Sequence, residues 1–371
     1  MKQQQQIGVI HISTAASWRG GEQQLWYLAG ELQEQGFPQM IWCPAGSPLA
    51  ARAAAAGIPV TTFTRRTAFS LSAACRLLRL VKQNPGVILH AHDSHAHTMA
   101  VIASSLTRTP APVIVSRRVD FAPGKGWLSN WKYRHQAVKK IICVSEKIKE
   151  IMAESLGDPS RLVTIHSGID PGRFAGEGDR GFLRREFSLP EEVVLAGNTS
   201  AVADHKDYFT FVDTAEILLS HDSRFRFFII GDGPLYDTIA RYIASKNLSD
   251  RIIMTGFRAD IPRLLPGLDI FLMTSKTEGL GTTVLDAFAC RVPVVATDAG
   301  GIPEMVENGV TGLLAPVGTP GSLAEQVLRI LREPGLRDRL IANAAERLNA
   351  FSKHQTALKT LEVYGELQQQ R

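Results

Sequence analysis

The sequence predicts an α/β protein of two doubly wound domains, each a parallel sheet with crossover helices. Three observations carry this. At 371 residues the chain is longer than one hydrophobic core usually organises. Short apolar runs alternate with helix-length amphipathic stretches from one end to the other, the pattern of βαβ units. The scheme stops at a Gly-rich, charged run between Gly172 and Pro190 and then starts again, so the run reads as a connection between two domains.

In the first half the expected strands are Ile7–Ile12, Gln39–Cys43, Val60–Phe63, Val87–Ala91, Val113–Ser116 and Ile141–Val144. Helices fill the gaps, notably Glu22–Gln35, Ser72–Lys82 and Ser145–Leu156. In the second half the strands are Val193–Gly197, Arg226–Ile230, Ile252–Thr255, Ile270–Met273 and Val294–Thr297. The expected domains are 1–170 and 171–352, with a helix of about 353–371 packing back on the first. Ligands of open parallel sheets bind beyond the carboxyl ends of the strands, so the residues just after each strand are where chemistry is sought.

Hydrophobic residues make up 44% and charged residues 21%, which excludes a largely disordered chain. Cys43, Cys75, Cys143 and Cys290 are far apart, form no CxxC pair and fall in apolar runs; buried free thiols are expected. The first residues lack the apolar region of a signal peptide and no run reaches the length of a membrane span, so a cytoplasmic protein is expected. The net charge of +5 divides unequally: residues 1–170 hold 19 Lys and Arg against 10 Asp and Glu, and the remainder 22 against 26. Within 61–140 the count is 13 basic to 2 acidic. Arg117, Arg118, Lys125 and Lys132, with Trp127 and Trp131 among them, are expected to form a face for an anionic partner such as an acceptor or a membrane surface. An ordinary solvated face with core aromatics gives the same composition. No nucleic-acid-reading module is recognisable, and nucleic acid is not an expected partner.

Several turns carry chemistry. Gly20-Gly21-Glu22 follows the first strand and opens a helix; paired glycines there let backbone N–H groups approach an anion, although a simple tight turn has the same sequence. The fourth strand ends in His90-Ala91-His92-Asp93-Ser94-His95-Ala96-His97. Strand alternation scatters these imidazoles, so no metal site is expected, and one histidine is expected to bind substrate or handle a proton. Lys206, at a helix start after Asn198-Thr199-Ser200, can neutralise a diphosphate. Gly231-Asp232-Gly233-Pro234 is another turn of close approach. The richest stretch is Ser275-Lys276-Thr277-Glu278-Gly279-Leu280-Gly281-Thr282-Thr283. A helix expected to begin near Gly281 would aim the N–H groups of Gly279 to Thr283 at an anion, bracketed by Glu278 and Asp286. Two acids beside a phosphate cradle suit a ligand with hydroxyls, and sugars are the evident class; helix capping by Glu278 is the plain alternative.

Gly20-Gly21-Glu22, His90-Ala91-His92, Gly168-Ile169-Asp170 with Phe174, Gly231-Asp232-Gly233-Pro234, Glu278-Gly279-Leu280-Gly281 and the run Pro293–Thr297 to Gly300-Gly301-Ile302-Pro303-Glu304 together make the chain resemble the family 4 glycosyltransferases. The resemblance covers nearly the whole chain and implies the GT-B fold, two facing Rossmann-like domains with a cleft between them, and retaining transfer from a nucleotide diphosphate sugar without a metal or other cofactor. It implies that Gly20 and Gly21 lie at the donor, that His92 contacts the transferred sugar, that Lys206 binds the diphosphate, and that Glu278 holds sugar hydroxyls. Gly279, Leu280, Gly281, Thr282 and Thr283 would supply N–H groups, Asp286 would bind the ribose, and Thr255 to Arg258 would lie beside the base, with Asn198 and Gly233 nearby. Two departures stand out: the second acid is Asp286 where the family usually has Glu, and Asn198-Thr199-Ser200 lacks the usual basic residue. The implied acceptor is a lipid-linked or cell-surface glycan at the inner membrane face. A nucleotide-sugar epimerase or a non-catalytic sugar-binding protein is the alternative.

Overall fold

The computed structural model describes residues 7–64, 71–124, 126–174 and 179–369, apart from the side chains of Leu71 and Ser72. The chain divides into two compact units, residues 1–168 with 353–371, and residues 169–352.

The first unit is a seven-stranded parallel sheet of β1 (Val9–Ile12), β2 (Gln39–Pro44), β3 (Val60–Phe63), β4 (Ile88–Ala91), β5 (Val113–Arg117), β6 (Val138–Cys143) and β7 (Leu162–Thr164), in the order 3-2-1-4-5-6-7. The second is a six-stranded parallel sheet of β8 (Val194–Thr199), β9 (Phe225–Ile230), β10 (Ile252–Gly256), β11 (Ile270–Met273), β12 (Val294–Thr297) and β13 (Leu313–Ala315), in the order 10-9-8-11-12-13. Each order reverses direction once beside its first strand, the doubly wound, Rossmann-like topology with a switch point at that strand. The central strands β1, β4, β11 and β12 are buried along their whole length because helices cover both faces, which is why they read as nearly continuous apolar runs.

The structure corrects the expected elements at sheet edges and strand starts. β7 and β13 were not expected; each has three residues, too few for a pattern to register. β6 begins at Val138 rather than Ile141, because Lys139 is exposed and Lys140 half-buried on a strand start that sequence reads as loop. Among the cysteines, Cys43, Cys143 and Cys290 are buried, but Cys75 is exposed on the outer side of the helix Leu71–Gln83.

The helix Lys353–Gln369 belongs to the first unit. Its Ala357, Val363, Tyr364 and Leu367 join Val9, Leu28, Leu32, Ile88, Ile114 and Ile142 in one buried cluster. The fully buried Tyr364 hydroxyl lies 2.6 Å from His90 Nδ1. No helix among the described residues is long and apolar enough to cross a membrane. Removing that hydroxyl leaves a buried imidazole nitrogen without its partner. Tyr364→Phe should therefore lower unfolding stability by about 1–3 kcal/mol, read from urea midpoints; an unchanged midpoint would mean the bond contributes nothing.

Candidate functional site

Each unit presents a cluster of polar groups at the carboxyl edge of its sheet.

In the first unit, β1 runs into Ser13 and Thr14, and Thr14 donates through its main-chain N–H (2.6 Å) and its hydroxyl (2.7 Å) to the Asp93 carboxylate. Asp93 in turn caps the helix Ser94–Ser105, accepting from the N–H groups of His95 and Ala96. Gly20 and Gly21 open the helix Gly20–Glu34. A Cβ built on either would meet no atom within 4 Å among the described residues. Packing therefore does not require glycine at these positions, and the space above them stays open to a ligand.

His92 is buried with both ring nitrogens engaged: Nε2 lies 3.0 Å from His11 Nδ1, and Nδ1 accepts from Arg118 at 3.1 Å. The ligand atoms of His11, His90 and His92 lie within 4.8 Å of one another, a spacing a metal could use. The available nitrogens argue otherwise. His90 places its two on Tyr364 and Ser116, and the Arg118 guanidinium beside His92 opposes a dication. Burial holds all three imidazoles well below the usual histidine range, His11 at about 3. Burial also pulls the Arg118 guanidinium down to about 10, against the charges of Glu22 and Asp93, and pushes the Glu22 carboxyl up.

The expected basic face is corrected. Arg117 and Lys132 are buried: Arg117 donates to Tyr133 (3.2 Å) and to the Phe121 carbonyl, and Lys132 donates to the Ser94 hydroxyl (2.7 Å) and carbonyl. Arg118 turns inward to His92, Trp131 packs edge-on to His135, and Lys125 lies outside the described residues. Large apolar side chains stand outward, Phe121 65% and Trp127 79% exposed with Val119 and Leu128 beside them in the sequence, while Arg134 and Lys139 are also exposed. Cations near a sheet edge were read as surface charge, whereas here they satisfy buried carbonyls and hydroxyls.

In the second unit the residues after β11 form the centre. Glu278 is buried and pairs with Lys206, and its carboxylate also accepts from Ser275 Oγ at 2.7 Å. Three contacts seat this pair. Thr274 Oγ1 donates to the carbonyls of Lys206 and Asp207, Thr297 Oγ1 to the Ser275 carbonyl, and Gly301 N to the Glu278 carbonyl at 3.0 Å. Gly300 has φ +54°, and a Cβ there would overlap the Glu278 carbonyl oxygen. Glycine is therefore required for the loop of Glu278 to lie against it. Asp207, next to Lys206, holds the left-handed conformation (φ +48°) and caps the following helix through Thr210.

Beyond Glu278, Gly281 has φ +86° and the helix runs from Thr283 to Ala289, two residues later than expected. Among the described residues, the N–H groups of Gly279, Leu280, Gly281 and Thr282 donate to no protein acceptor, and that of Thr283 opens the helix. The Leu280 side chain is buried, so only its main chain faces the loop. Thr283 Oγ1 and Asp286 Oδ1, one helical turn apart, are buried without a hydrogen-bond partner. Gly279 to Thr283 thus offers a row of donors, with two buried acceptors on the turn that follows.

Three expected donor residues have other work. Asn198 is fully buried and donates to the Leu272 carbonyl (2.9 Å), tying β8 to β11. A Cβ on Gly233 would lie 2.5 Å from the Val202 carbonyl, so this glycine serves close backbone packing. Arg258 is held by Glu186 (2.5 Å) and Asp260 (2.7 and 2.8 Å), which raise its pKa. The parts played by His11, Thr14 and Ser275 were not expected; His11 is a polar break in an apolar strand and Ser275 opens the glycine-rich loop, whereas Thr14 gives no local signal.

Burial pushes the Asp286 carboxyl up to about 7, with Arg173 pulling the other way. Its folded value lies above its unfolded one, so between about pH 4 and 7 the folded chain binds more protons, and this group makes the fold less stable as pH rises through that window. Asp286→Asn removes the titration. The variant should gain about 1–3 kcal/mol over the wild type at pH 8 and little at pH 4, compared by denaturant unfolding at both values; an equal difference at the two would reject the assignment.

Two family models match the chain: Glycosyltransferase Family 4 over residues 18–173 and Glycosyl transferases group 1 over residues 179–347. An uncharacterized glycosyltransferase, MJ1178, of Methanocaldococcus jannaschii is 30% identical over 239 residues, 64% of this chain and 62% of that protein. The alpha-D-kanosaminyltransferase of Streptomyces kanamyceticus is 27% identical over 59% of this chain and 58% of that protein, and an Escherichia coli UDP-Gal:alpha-D-GlcNAc-diphosphoundecaprenol alpha-1,3-galactosyltransferase is 25% identical over 68% of each. The chain thus spans about six-tenths of the length of the curated relatives it matches. In fold it is similar to Anabaena Alr3699/HepE, whose crystal structure in complex with UDP and glucose covers 97% of this chain and 100% of that one with a TM-score of 0.85 at 20% identity. With two Rossmann-like sheets of the GT-B class and family models along both units, the chain belongs to the family 4 glycosyltransferases.

Proposed function

We propose that this protein transfers a hexosyl-type sugar from a nucleotide diphosphate sugar to an acceptor hydroxyl, with retention at the anomeric carbon. The observation that carries the reading is the row of donors from Gly279 to Thr283 beside Lys206 and Glu278. A diphosphate accepts from these N–H groups and from Lys206, and the sugar hydroxyls donate to Glu278, so the donor exchanges the internal ion pair for two pairings of its own. Thr283 Oγ1 and Asp286 Oδ1 supply acceptors for ribose hydroxyls. In the reaction the bond from the anomeric carbon to the diphosphate oxygen breaks, the acceptor oxygen bonds to that carbon on the same face, and the acceptor proton passes to the leaving phosphate. Catalysis rests on stabilising the leaving group and aligning the acceptor, and it uses no metal.

The named activities of relatives support a sugar-nucleotide substrate, and the E. coli relative is named for a lipid-linked acceptor. The outward Phe121, Trp127 and Leu128 suit such an acceptor. On this reading the enzyme works as a peripheral protein at the cytoplasmic face of a membrane.

Lys206→Ala should lower kcat/KM by about 10²–10³-fold, and Glu278→Ala should also weaken discrimination among donor sugars, both measured with a panel of nucleotide sugars; full activity in both variants would reject the roles. Product from donor alone, without acceptor, would indicate an epimerase. For the acceptor side, the protein should sediment with vesicles containing anionic lipid, and a Phe121→Ser, Trp127→Ser double variant should not; a wild type that stays in the supernatant would argue for a soluble acceptor, and equal sedimentation of both proteins would take the contact away from these two residues.

A further inference from the structure

We propose that Arg118 is a positioning residue for His92, holding its main chain and ring together and fixing the ring as the Nε2–H tautomer. Arg118 follows β5 directly. Its Nη1 donates to the His92 carbonyl at 3.0 Å and its Nη2 to His92 Nδ1 at 3.1 Å. A guanidinium has donors only, so His92 Nδ1 has to be the acceptor and the ring proton has to sit on Nε2. That proton points at His11 Nδ1, 3.0 Å away, which in turn places the His11 proton on its own Nε2. One direction of donation therefore satisfies both links of the chain, Arg118 to His92 and His92 to His11; His11 Nε2, where the last proton sits, is buried without a hydrogen-bond partner. The opposite tautomer would aim a ring proton at the guanidinium.

The charges around the ring agree. His11 and His90 lie against it, with the His90 ring centroid 4.1 Å away, and Arg118 is the cation of the group, balanced by Glu22 and Asp93. A proton added to the buried His92 would set a second cation beside Arg118. Both ring nitrogens are thus committed within the protein. His92 then meets a sugar with a fixed ring surface rather than with a mobile proton, which revises the proton-handling role that its place after β4 suggests. This inference rests on the donor reading above for its link to activity, but not for the tautomer itself.

The test is nitrogen NMR of ¹⁵N-histidine-labelled full-length protein, with His92→Asn to assign the signal, alongside kinetics of Arg118→Met and Arg118→Lys. His92 should be Nε2–H in the wild type from pH 6 to 8. Arg118→Met should give mixed tautomers or protonation in that range and lower kcat roughly 10- to 100-fold, with donor KM held within about threefold. Arg118→Lys keeps a charge but cannot span ring and carbonyl, so it should recover only part of kcat. It also carries the test should Arg118→Met fail to fold. An Nδ1–H signal in the wild type, or an unchanged Nε2–H signal in the variants, would overturn the proposal. A wild type that transfers no sugar would defeat the donor reading while the spectrum still decides the tautomer.

Discussion

A lysine and a glutamate withdrawn from water together are stable only while each keeps the other, and the second unit is organised around such a pair. Taking both charges out of water costs several kcal/mol per ion, and losing one partner of a buried pair costs about 3–5 kcal/mol. Lys206 and Glu278 therefore have to be delivered to each other by backbone that does not drift. Gly300 provides this by admitting the Glu278 carbonyl where any side chain would collide, and Thr274 by holding the chain at Lys206 and Asp207. The glycines of the Gly300-Gly301 motif act through that loop, as steric permission for Glu278.

The first unit solves the same problem with a different cation. Arg118 is half-buried against His92, and its charge is tolerable because Glu22 and Asp93 stand at the starts of two helices nearby. Each carboxylate also holds backbone in place, since Glu22 Oε2 accepts from the Arg19 main chain and Asp93 accepts from Thr14 and from its own helix. Fold and electrostatics are coupled, because the residues that start the helices also balance the guanidinium.

This explains what the sequence made legible. The strands Ile270–Met273 and Val294–Thr297 fall where the apolar runs place them, because strands buried on both faces leave a near-continuous signal. The loop of Glu278 was readable because its glycines and acids are adjacent in sequence. Arg118 with His92, and Lys132 with Ser94, are separated by 26 and 38 positions, and nothing local tells a buried arginine or lysine from a solvated one. Composition in 61–140 therefore suggested a basic face that included Arg117, Arg118 and Lys132, whereas these three cations are spent on internal carbonyls and hydroxyls, and Phe121 and Trp127 stand outward near them in the sequence. Asn198 and Gly233 show the same limit of local reading: a residue after a strand can serve the neighbouring strand or loop, as both do here, as readily as a ligand.

The groups left without partners narrow the chemistry further. The full charges are matched internally, Lys206 by Glu278 and Arg118 by Glu22 and Asp93, while burial holds Asp286 near neutrality at about pH 7. At the loop after β11, what remains unmatched among the described residues is a row of neutral donors and two buried oxygens on the helix that follows, Thr283 Oγ1 and Asp286 Oδ1. A simple anion would use the donors and leave the oxygens stranded; a neutral sugar would use the oxygens and leave the row unfilled. A ligand that carries phosphate oxygens and hydroxyls at fixed separation satisfies both. That is the physical reason for reading this edge of the sheet as a nucleotide-sugar site rather than an anion site alone.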